Sequence, residues 1–144
     1  MWTNGGLKRV LEGSLNLTST TLKVMLLNSA YLPDPDHEFV ASLTTYELSG
    51  TGYVAGFGNS GRKTLASKVF AKDDTNDCAT MDATDPVWTG ADFGTAACAA
   101  IIFETGGSDA TSLVIALLPI NNGEAQGGSF TLQFGAFALK LKAA

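Results

Sequence analysis

The sequence predicts an all-β fold, a β-sandwich of which a jelly roll is one form, with one or two short helices near the N-terminus. Glycines and short turn clusters interrupt the 144-residue chain about every ten residues, a spacing typical of strands. Apolar and polar residues alternate towards the C-terminus, and the stretches 96–104 and 112–119 are apolar at nearly every position. The length fits one domain, so residues 1–144 are interpreted as a single unit.

The helical segments are both expected in the first third of the chain. An amphipathic helix is predicted over residues 6–14, with Gly13 ending it, because its apolar residues fall on one helical face: Leu7, Val10 and Leu11. A second helical turn is expected over residues 37–43, with Asp36 as its N-cap.

Five strands are predicted in the middle of the chain: Thr20–Leu27, Lys63–Lys72, Asp77–Asp82, Ala96–Glu104 and Ser112–Pro119. In the first of them Leu22, Val24 and Leu26 share one face. The polar turn 73–76 joins the second and third, and the turn 105–108 joins the last two, so each pair is expected to form a hairpin. The last pair is expected to be covered on both faces.

The C-terminus shows the period-two pattern of strands that are buried on one face. One strand is predicted from the alternation of Phe130, Leu132 and Phe134 with polar residues. A second is predicted from three residues that alternate with residues expected to face water: Phe137, Leu139 and Leu141. Gly135, which lies between the two runs, is interpreted as a bulge or bend.

Composition and charge exclude several classes of function. The net charge is −5 and the nine cationic residues are scattered, so no basic stripe is available for nucleic acid. The longest apolar stretch, 113–120, is too short to span a bilayer, and no signal-peptide pattern begins the sequence. We therefore expect a soluble protein made in a cytoplasm. Charged residues are only 16% of the chain, against a typical ~25%, which hints that another protein or another copy covers part of the surface.

One glycine motif invites a nucleotide-binding interpretation. Gly56–Gly61 matches G-x-G-x-x-G, the pattern in which backbone and helix N-terminus hold a pyrophosphate. The residues that follow predict a strand instead of a helix, and Arg62 stands where a phosphate loop would have lysine. A flexible Gly/Ser loop is the preferred interpretation, and no cofactor is predicted.

No catalytic or metal-binding residues are predicted. His37 is the single histidine, and no nucleophile-elbow motif accompanies it. Two acidic groups lack the full calcium-loop signature and are interpreted as solvated turns: Asp34, Asp36, His37 and Glu38, and Asp73, Asp74, Asn76 and Asp77. Trp2 and Trp88 could stack on sugars, although buried tryptophan is commoner.

Six segments in a fixed order carry a family resemblance: 22–31 (LKVMLLNSAY), 33–39 (PDPDHEF), 47–56 (ELSGTGYVAG), 82–88 (DATDPVW), 101–104 (IIFE) and 130–134 (FTLQF). They resemble a family of small tailed-phage proteins that begin "K-V-x-L-L-x-S-x-Y-x-P-D-x-D" and have a "G-T-G-Y-x-A-G-G" centre. The resemblance covers most of the chain. It departs from the family at Phe57, where a second glycine is usual, and in a longer loop through Arg62.

The resemblance implies a virion structural protein without enzymatic activity. Its expected role is head decoration, as a cement protein that binds the major capsid protein on the head exterior and is made in the host cytoplasm. Self-association is also expected, and a trimer at a three-fold lattice position is the first guess. The alternative is a tail or tail-fibre module that binds host glycans.

Two sets of residues gain interest from this role. Candidate contacts with the capsid or with another subunit lie at the N-terminus: Trp2, Leu7, Val10 and Leu11. The alternative for Trp2 is that it closes one end of the sandwich. Cys78 and Cys98 are two small, partly buried residues in one interpretation. In the other, the two cysteine side chains both face outward on neighbouring antiparallel strands, which allows a disulfide that forms after lysis.

Overall fold

The computed structural model describes residues 1–135 and 138–142, and within them the fold is mostly β, as predicted. It contains one α-helix, α1 (Asn4–Leu11), and two short 3-10 turns, Val40–Ser42 and Thr44–Tyr46. The strands in this part of the chain are β1 (Lys23–Leu27), β2 (Lys63–Thr64), β3 (Val69–Asp73), β4 (Cys78–Asp82), β5 (Val87–Ala91), β6 (Gly94–Phe103), β7 (Leu113–Ala125), β8 (Gly128–Thr131) and β9 (Leu139–Lys142).

The strands form three antiparallel sheets around a sandwich-like core. The four-stranded sheet has the order β2-β1-β6-β7, a three-stranded sheet has the order β3-β4-β9, and β5 pairs with β8. The larger core cluster lies between the sheets and includes Val24, Trp88 and Phe130. A smaller cluster, with Met25 and Val40, covers the opposite face of β1 and β6. The four-stranded sheet is therefore buried on both faces, which explains the nearly continuous apolar runs of β6 and β7.

Both predicted hairpins are confirmed. β3 and β4 pair from Val69↔Asp82 to Asp73↔Cys78, so a four-residue loop joins them. β6 and β7 pair along most of their length, with register shifts at two bulges. The single strand predicted over 63–72 is wrong, because the segment divides into β2 and β3 in different sheets. Ser67, with φ 51°, lies between them, and this left-handed backbone interrupts the extended chain.

The helix predictions are confirmed in part. α1 begins two residues earlier than expected, because the Thr3 hydroxyl caps it by accepting a hydrogen bond from the Gly6 N–H at 3.0 Å. Gly13 follows the helix with φ 73°, as its stop signal predicts. The second helical turn appears later than predicted, as the two 3-10 turns. Asp36 caps neither of them; its carboxylate accepts a hydrogen bond from the Asn4 side chain at 2.6 Å.

The C-terminal alternation holds only in its first half. Phe130 and Leu132 are buried, and Gly135, with φ 68°, marks the bend before β9. In β9 the expected pattern is wrong: Leu141 is 40% exposed, while Ala138, expected to face water, is buried. The reason is that the face shared by Leu139 and Leu141 leaves the core along the strand: Leu139 pairs with the buried Met81, whereas Leu141 pairs with the exposed Ala79. Phe137 lies outside the described residues.

The outer edge of β7 is covered by the N-terminal segment 1–3 and by residues 38–40. The Leu117 N–H donates to the Met1 carbonyl at 2.8 Å, and the Val114 N–H donates to the Glu38 carbonyl at 2.9 Å. By the alternation of an antiparallel ladder, the next outward-facing nitrogen of β7 belongs to Pro119, which has no N–H. In the described ranges no helix is long and apolar enough to cross a membrane.

Candidate functional site

The most concentrated group of charges lies in the interior, around Arg62. Its side chain is fully buried and makes paired hydrogen bonds with two carboxylates. Nε and Nη2 donate to the Glu47 oxygens at 2.8 and 2.7 Å, and Nη1 and Nη2 donate to the Asp109 oxygens at 2.5 and 3.1 Å. Nη1 also donates to Glu104 at 3.1 Å. We call these residues, together with Lys23, which binds Glu104, the Arg62 cluster.

Separate parts of the fold supply each member of the Arg62 cluster. Lys23 begins β1 and Glu104 follows β6, and these two strands are hydrogen-bonded neighbours. Glu47 lies beside the end of β1, where its backbone forms a bridge with Leu27. Asp109 belongs to the turn between β6 and β7, and Arg62 directly precedes β2. The four-stranded sheet and the segments beside it therefore bring together three carboxylates and two cations along the length of β1.

The glycine loop 56–61 is anchored to the same carboxylates. The Gly56 N–H donates to a Glu47 oxygen and the Gly58 N–H donates to a Glu104 oxygen, both at 3.1 Å. Backbone N–H groups that would bind phosphate in a nucleotide loop are thus bonded to anions of the protein itself. Strand β2 follows the loop, as its sequence predicts, and no helix begins there. The segment is a loop, as interpreted from the sequence, and two of its backbone N–H groups anchor it to Glu47 and Glu104.

An aromatic group packs under the loop and completes its anchoring. The Tyr53 hydroxyl donates to Glu47 at 3.1 Å and accepts a hydrogen bond from the Leu26 N–H at 3.0 Å. The Trp88 ring stacks on Tyr53 with centroids 6.1 Å apart, and its indole N–H donates to the Gly61 carbonyl at 2.7 Å. Because Trp88 is fully buried, it offers no platform for a sugar.

Burial and hydrogen bonding oppose each other in the electrostatics of the cluster. Burial alone would raise the pKa of Glu104, but hydrogen bonds from Lys23, the Gly58 N–H and Arg62 outweigh it and hold that pKa below its ordinary value. Burial likewise opposes the charge of Arg62, yet its hydrogen bonds to Glu47 and Asp109 raise the pKa of the guanidinium. Burial, and then the charge of Glu47, raise the pKa of Tyr53. Hydrogen bonding therefore outweighs burial and favours the charged forms of Glu104 and Arg62.

The predicted N-terminal contact residues divide into inward and outward groups. Trp2 and Val10 are half-buried and pack on the core, and the Trp2 indole donates to the Lys140 carbonyl at 3.0 Å. This placement matches the alternative in which Trp2 closes one end of the sandwich. Leu7 is also half-buried, whereas Leu11 is 75% exposed. Of the four, Leu11 offers the most surface to a partner.

The two acidic groups form turns, as interpreted from the sequence. In the first, the Asp34 carboxylate accepts the Asp36 N–H at 2.9 Å, and His37 Nδ1 shares a 3.0 Å hydrogen bond with a tyrosine hydroxyl. In the second, Asp73 accepts hydrogen bonds from the backbone of residues 75 and 76. Among the described residues, no group of three or more histidine, cysteine or acidic side chains is arranged to hold a metal ion.

Of the two interpretations of Cys78 and Cys98, the disulfide is wrong. Cys78 lies on β4 in the three-stranded sheet, and Cys98 lies on β6 in the four-stranded sheet, so the two strands are not neighbours. Both thiols are free and buried, which corresponds to the other interpretation of two small core residues. A cross-strand disulfide would require β4 and β6 to be paired neighbours, and these strands belong to two separate sheets.

Two surface features were not foreseen. An open cleft of about 160 Å³ lies where the middle of β7 meets the segment after β8, and its lining is mostly apolar: Leu118, Pro119, Ile120, Leu132, Gln133, Phe134 and Ala138. The second feature is the outer strand of the three-stranded sheet, on which Val69 is 61% exposed and Phe70 is 42% exposed. Exposed apolar side chains on a strand with an open edge are a recognised site of pairing with another chain.

The Arg62 cluster holds two loops against the four-stranded sheet. Its carboxylate oxygens are bonded to the guanidinium, to Lys23 and to backbone N–H groups of the loop, so each carboxylate accepts hydrogen bonds from within the protein. Sequence reasoning missed the cluster, although Arg62 is one of only two arginines and follows a conspicuous glycine motif.

In comparisons with protein-family models, curated proteins and solved structures, nothing matches this chain.

Proposed function

We propose that this chain is a structural protein of a tailed-phage particle, a head decoration or cement protein. In this role it binds the major capsid protein on the exterior of the head, stabilises the shell and has no enzymatic activity. It is made in the host cytoplasm and associates with copies of itself. The proposal starts from the ordered sequence segments that resemble the phage family, and it is supported by how the chain uses their residues.

The supporting observation is that residues of the central motif of the resemblance, 47–56, form contacts within the protein. Glu47 binds Arg62, and Tyr53 binds both Glu47 and a backbone amide of β1. Gly50 lies so close to residue 92 that an added Cβ would approach its carbonyl oxygen to 2.5 Å. A motif that maintains the fold, instead of lining an open site, is what a family of structural proteins requires.

Exposed leucines near the N-terminal third supply a candidate contact surface. Leu11 at the end of α1 is 75% exposed, and Leu32, which lies between the segments 22–31 and 33–39 that resemble the family, is 81% exposed. A decoration protein has to bury apolar surface on the shell, and large exposed leucines suit the centre of such an interface. The low proportion of charged residues agrees with a surface of which part is covered.

Copy counting by mass spectrometry on purified particles of the phage that encodes this chain tests the proposal. We expect many copies per particle, in a fixed ratio to the major capsid protein. Particles that lack the chain should lose their genome at lower temperature than complete particles. A protein that is absent from the particle would contradict the proposal, and a few copies located at the tail would favour the glycan-binding alternative.

Rebinding to particles that lack the protein tests the contact surface. Leu11→Glu and Leu32→Glu should each weaken rebinding, because a buried carboxylate at an interface is costly. Lys8→Glu is the control, since Lys8 lies on the same helix and is well exposed, and its net charge change of −2 exceeds the −1 of each leucine variant. Equal loss for all three variants would indicate a general charge effect and would contradict a leucine contact.

A further inference from the structure

The fold protects most of the long strand edges in its two larger sheets. Segments 1–3 and 38–40 cover the outer edge of β7, and Pro119 removes its next outward donor. β2, at the opposite edge of that sheet, has only two residues. In the three-stranded sheet, the Lys140 carbonyl of β9 accepts a hydrogen bond from the Trp2 indole. Natural proteins protect edges in these ways to prevent unwanted pairing with other chains.

β3 lacks this protection. It spans five residues, Val69–Asp73, of which the first four are exposed. Its backbone partners in the described part of the chain are all on β4. The Ala71 carbonyl faces β4, since it accepts a hydrogen bond from the Thr80 hydroxyl. By the alternation of an antiparallel ladder, the N–H and C=O groups of Phe70 and Lys72 then point away from the sheet.

We propose that β3 pairs antiparallel with β3 of a second copy, about a two-fold axis at Ala71. In this register the outward N–H and C=O groups of Phe70 in each copy form hydrogen bonds with those of Lys72 in the other copy. All the outward backbone groups of these two residues then have partners. It extends the three-stranded sheet into a continuous six-stranded sheet across two subunits. The contact goes beyond the capsid role, because it forms whether or not a particle is present.

The charges of the strand select this register. An axis at Phe70 would set Lys68 opposite the partner's Lys72, and an axis at Lys72 would set two lysines directly opposite each other. Like charges in directly opposed positions destabilise a strand pair. With the axis at Ala71, each Lys72 instead faces the partner's Phe70, a cation beside an aromatic ring. The small side chain of Ala71 lets the two strands approach at the axis.

The symmetry of the contact fixes the number of copies. The same strand is used by both subunits, so the contact is isologous and closes at two. A trimer would require two different surfaces that meet head to tail. The dimer therefore replaces the three-fold guess that the lattice suggested, and two-fold positions of a shell become the sites that such a dimer would fit.

Sedimentation velocity of the purified chain over a concentration series tests the pairing. We expect twice the 15.0 kDa mass of one chain. Phe70→Lys places a second lysine opposite the partner's Lys72 and should raise the dimer dissociation constant at least about tenfold. Adding Lys72→Glu to that variant restores opposite charges and should restore the dimer. Val87→Lys is the control, because Val87 has a similar exposure of 44% on β5 and should leave the mass unchanged.

A cross-link gives a second measurement that does not depend on weakening the dimer. In the proposed register, residue 71 of the two subunits forms a pair without hydrogen bonds, with Cα atoms about 4.5 Å apart. Ala71→Cys should then form an intermolecular disulfide on mild oxidation, whereas Ala79→Cys on exposed β4 should not. A wild-type monomer or trimer, or an Ala71→Cys variant that stays uncross-linked, would overturn the proposal.

Discussion

Replacing Arg62 by methionine is the most direct test of the buried ion cluster. The guanidinium is fully buried, and it donates five hydrogen bonds to Glu47, Glu104 and Asp109. Without it, Glu104 would keep Lys23 as its partner, and Glu47 and Asp109 would lose the cation that binds them. Removing one partner of a buried ion pair leaves uncompensated charge and costs about 3–5 kcal/mol. We expect Arg62→Met to lower the free energy of unfolding by that amount.

Urea unfolding followed by circular dichroism measures this loss. For a chain of this size, each kcal/mol lowers the melting temperature by about 2–4 °C, so thermal unfolding should shift by roughly 10 °C. Arg9→Met is the matched control, since Arg9 pairs with Glu38 at a partly exposed site. Such pairs contribute at most about 1 kcal/mol. Arg62→Lys should fall between the two, because lysine keeps the charge but lacks the planar fork.

Repeating the unfolding measurement at lower pH distinguishes the effect of unpaired charge from the effect of lost packing. If unpaired carboxylates cause the loss, the deficit of Arg62→Met should shrink as the pH falls and the carboxylates become protonated. A deficit below about 1 kcal/mol at neutral pH would refute the reasoning. A deficit that stays constant down to acid pH would attribute the effect to lost packing of the arginine side chain instead.

Three further outcomes are expected. Gly50→Ala should destabilise the protein by about 1–3 kcal/mol in urea unfolding, because the new Cβ would lie 2.5 Å from the Asp92 carbonyl oxygen. The pKa of Glu104 lies below its ordinary 4.5, so its charge stabilises the fold above that pH, and this contribution is lost as the pH falls through the folded-state pKa. Glu104→Gln should accordingly melt below the wild type at neutral pH, with the difference narrowing in acid. Cys78 and Cys98 should react with a thiol reagent only at the rate of unfolding, since both are buried; rapid labelling of either one in the native protein would contradict their placement.

Local patterns predicted local structure well. Both hairpins were predictable because a short polar turn separates two strand-like runs, and that information lies within one short stretch of sequence. The Gly13 stop signal gave the end of α1 for the same reason. The split of residues 63–72 into two strands was not predictable. It depends on Ser67 adopting a left-handed conformation, and on which sheet each half joins.

The Arg62 cluster could not be derived from sequence for a related reason. Its three carboxylates lie 15, 42 and 47 residues from the arginine, and no local pattern connects positions so far apart. The disulfide alternative meets the same limit. The sequence indicates which way Cys78 and Cys98 point within each strand, but the tertiary fold determines which strands pair.

The distances in sequence that separate the members of the Arg62 cluster also bear on folding kinetics. A contact between residues 47 positions apart forms only after the intervening chain has been ordered, and desolvating the charges early would be unfavourable. We therefore expect the cluster to be unformed in the folding transition state. Interactions that are absent from the transition state slow unfolding and leave the folding rate unchanged. The cluster would then lower the unfolding rate of the protein and have little effect on its folding rate.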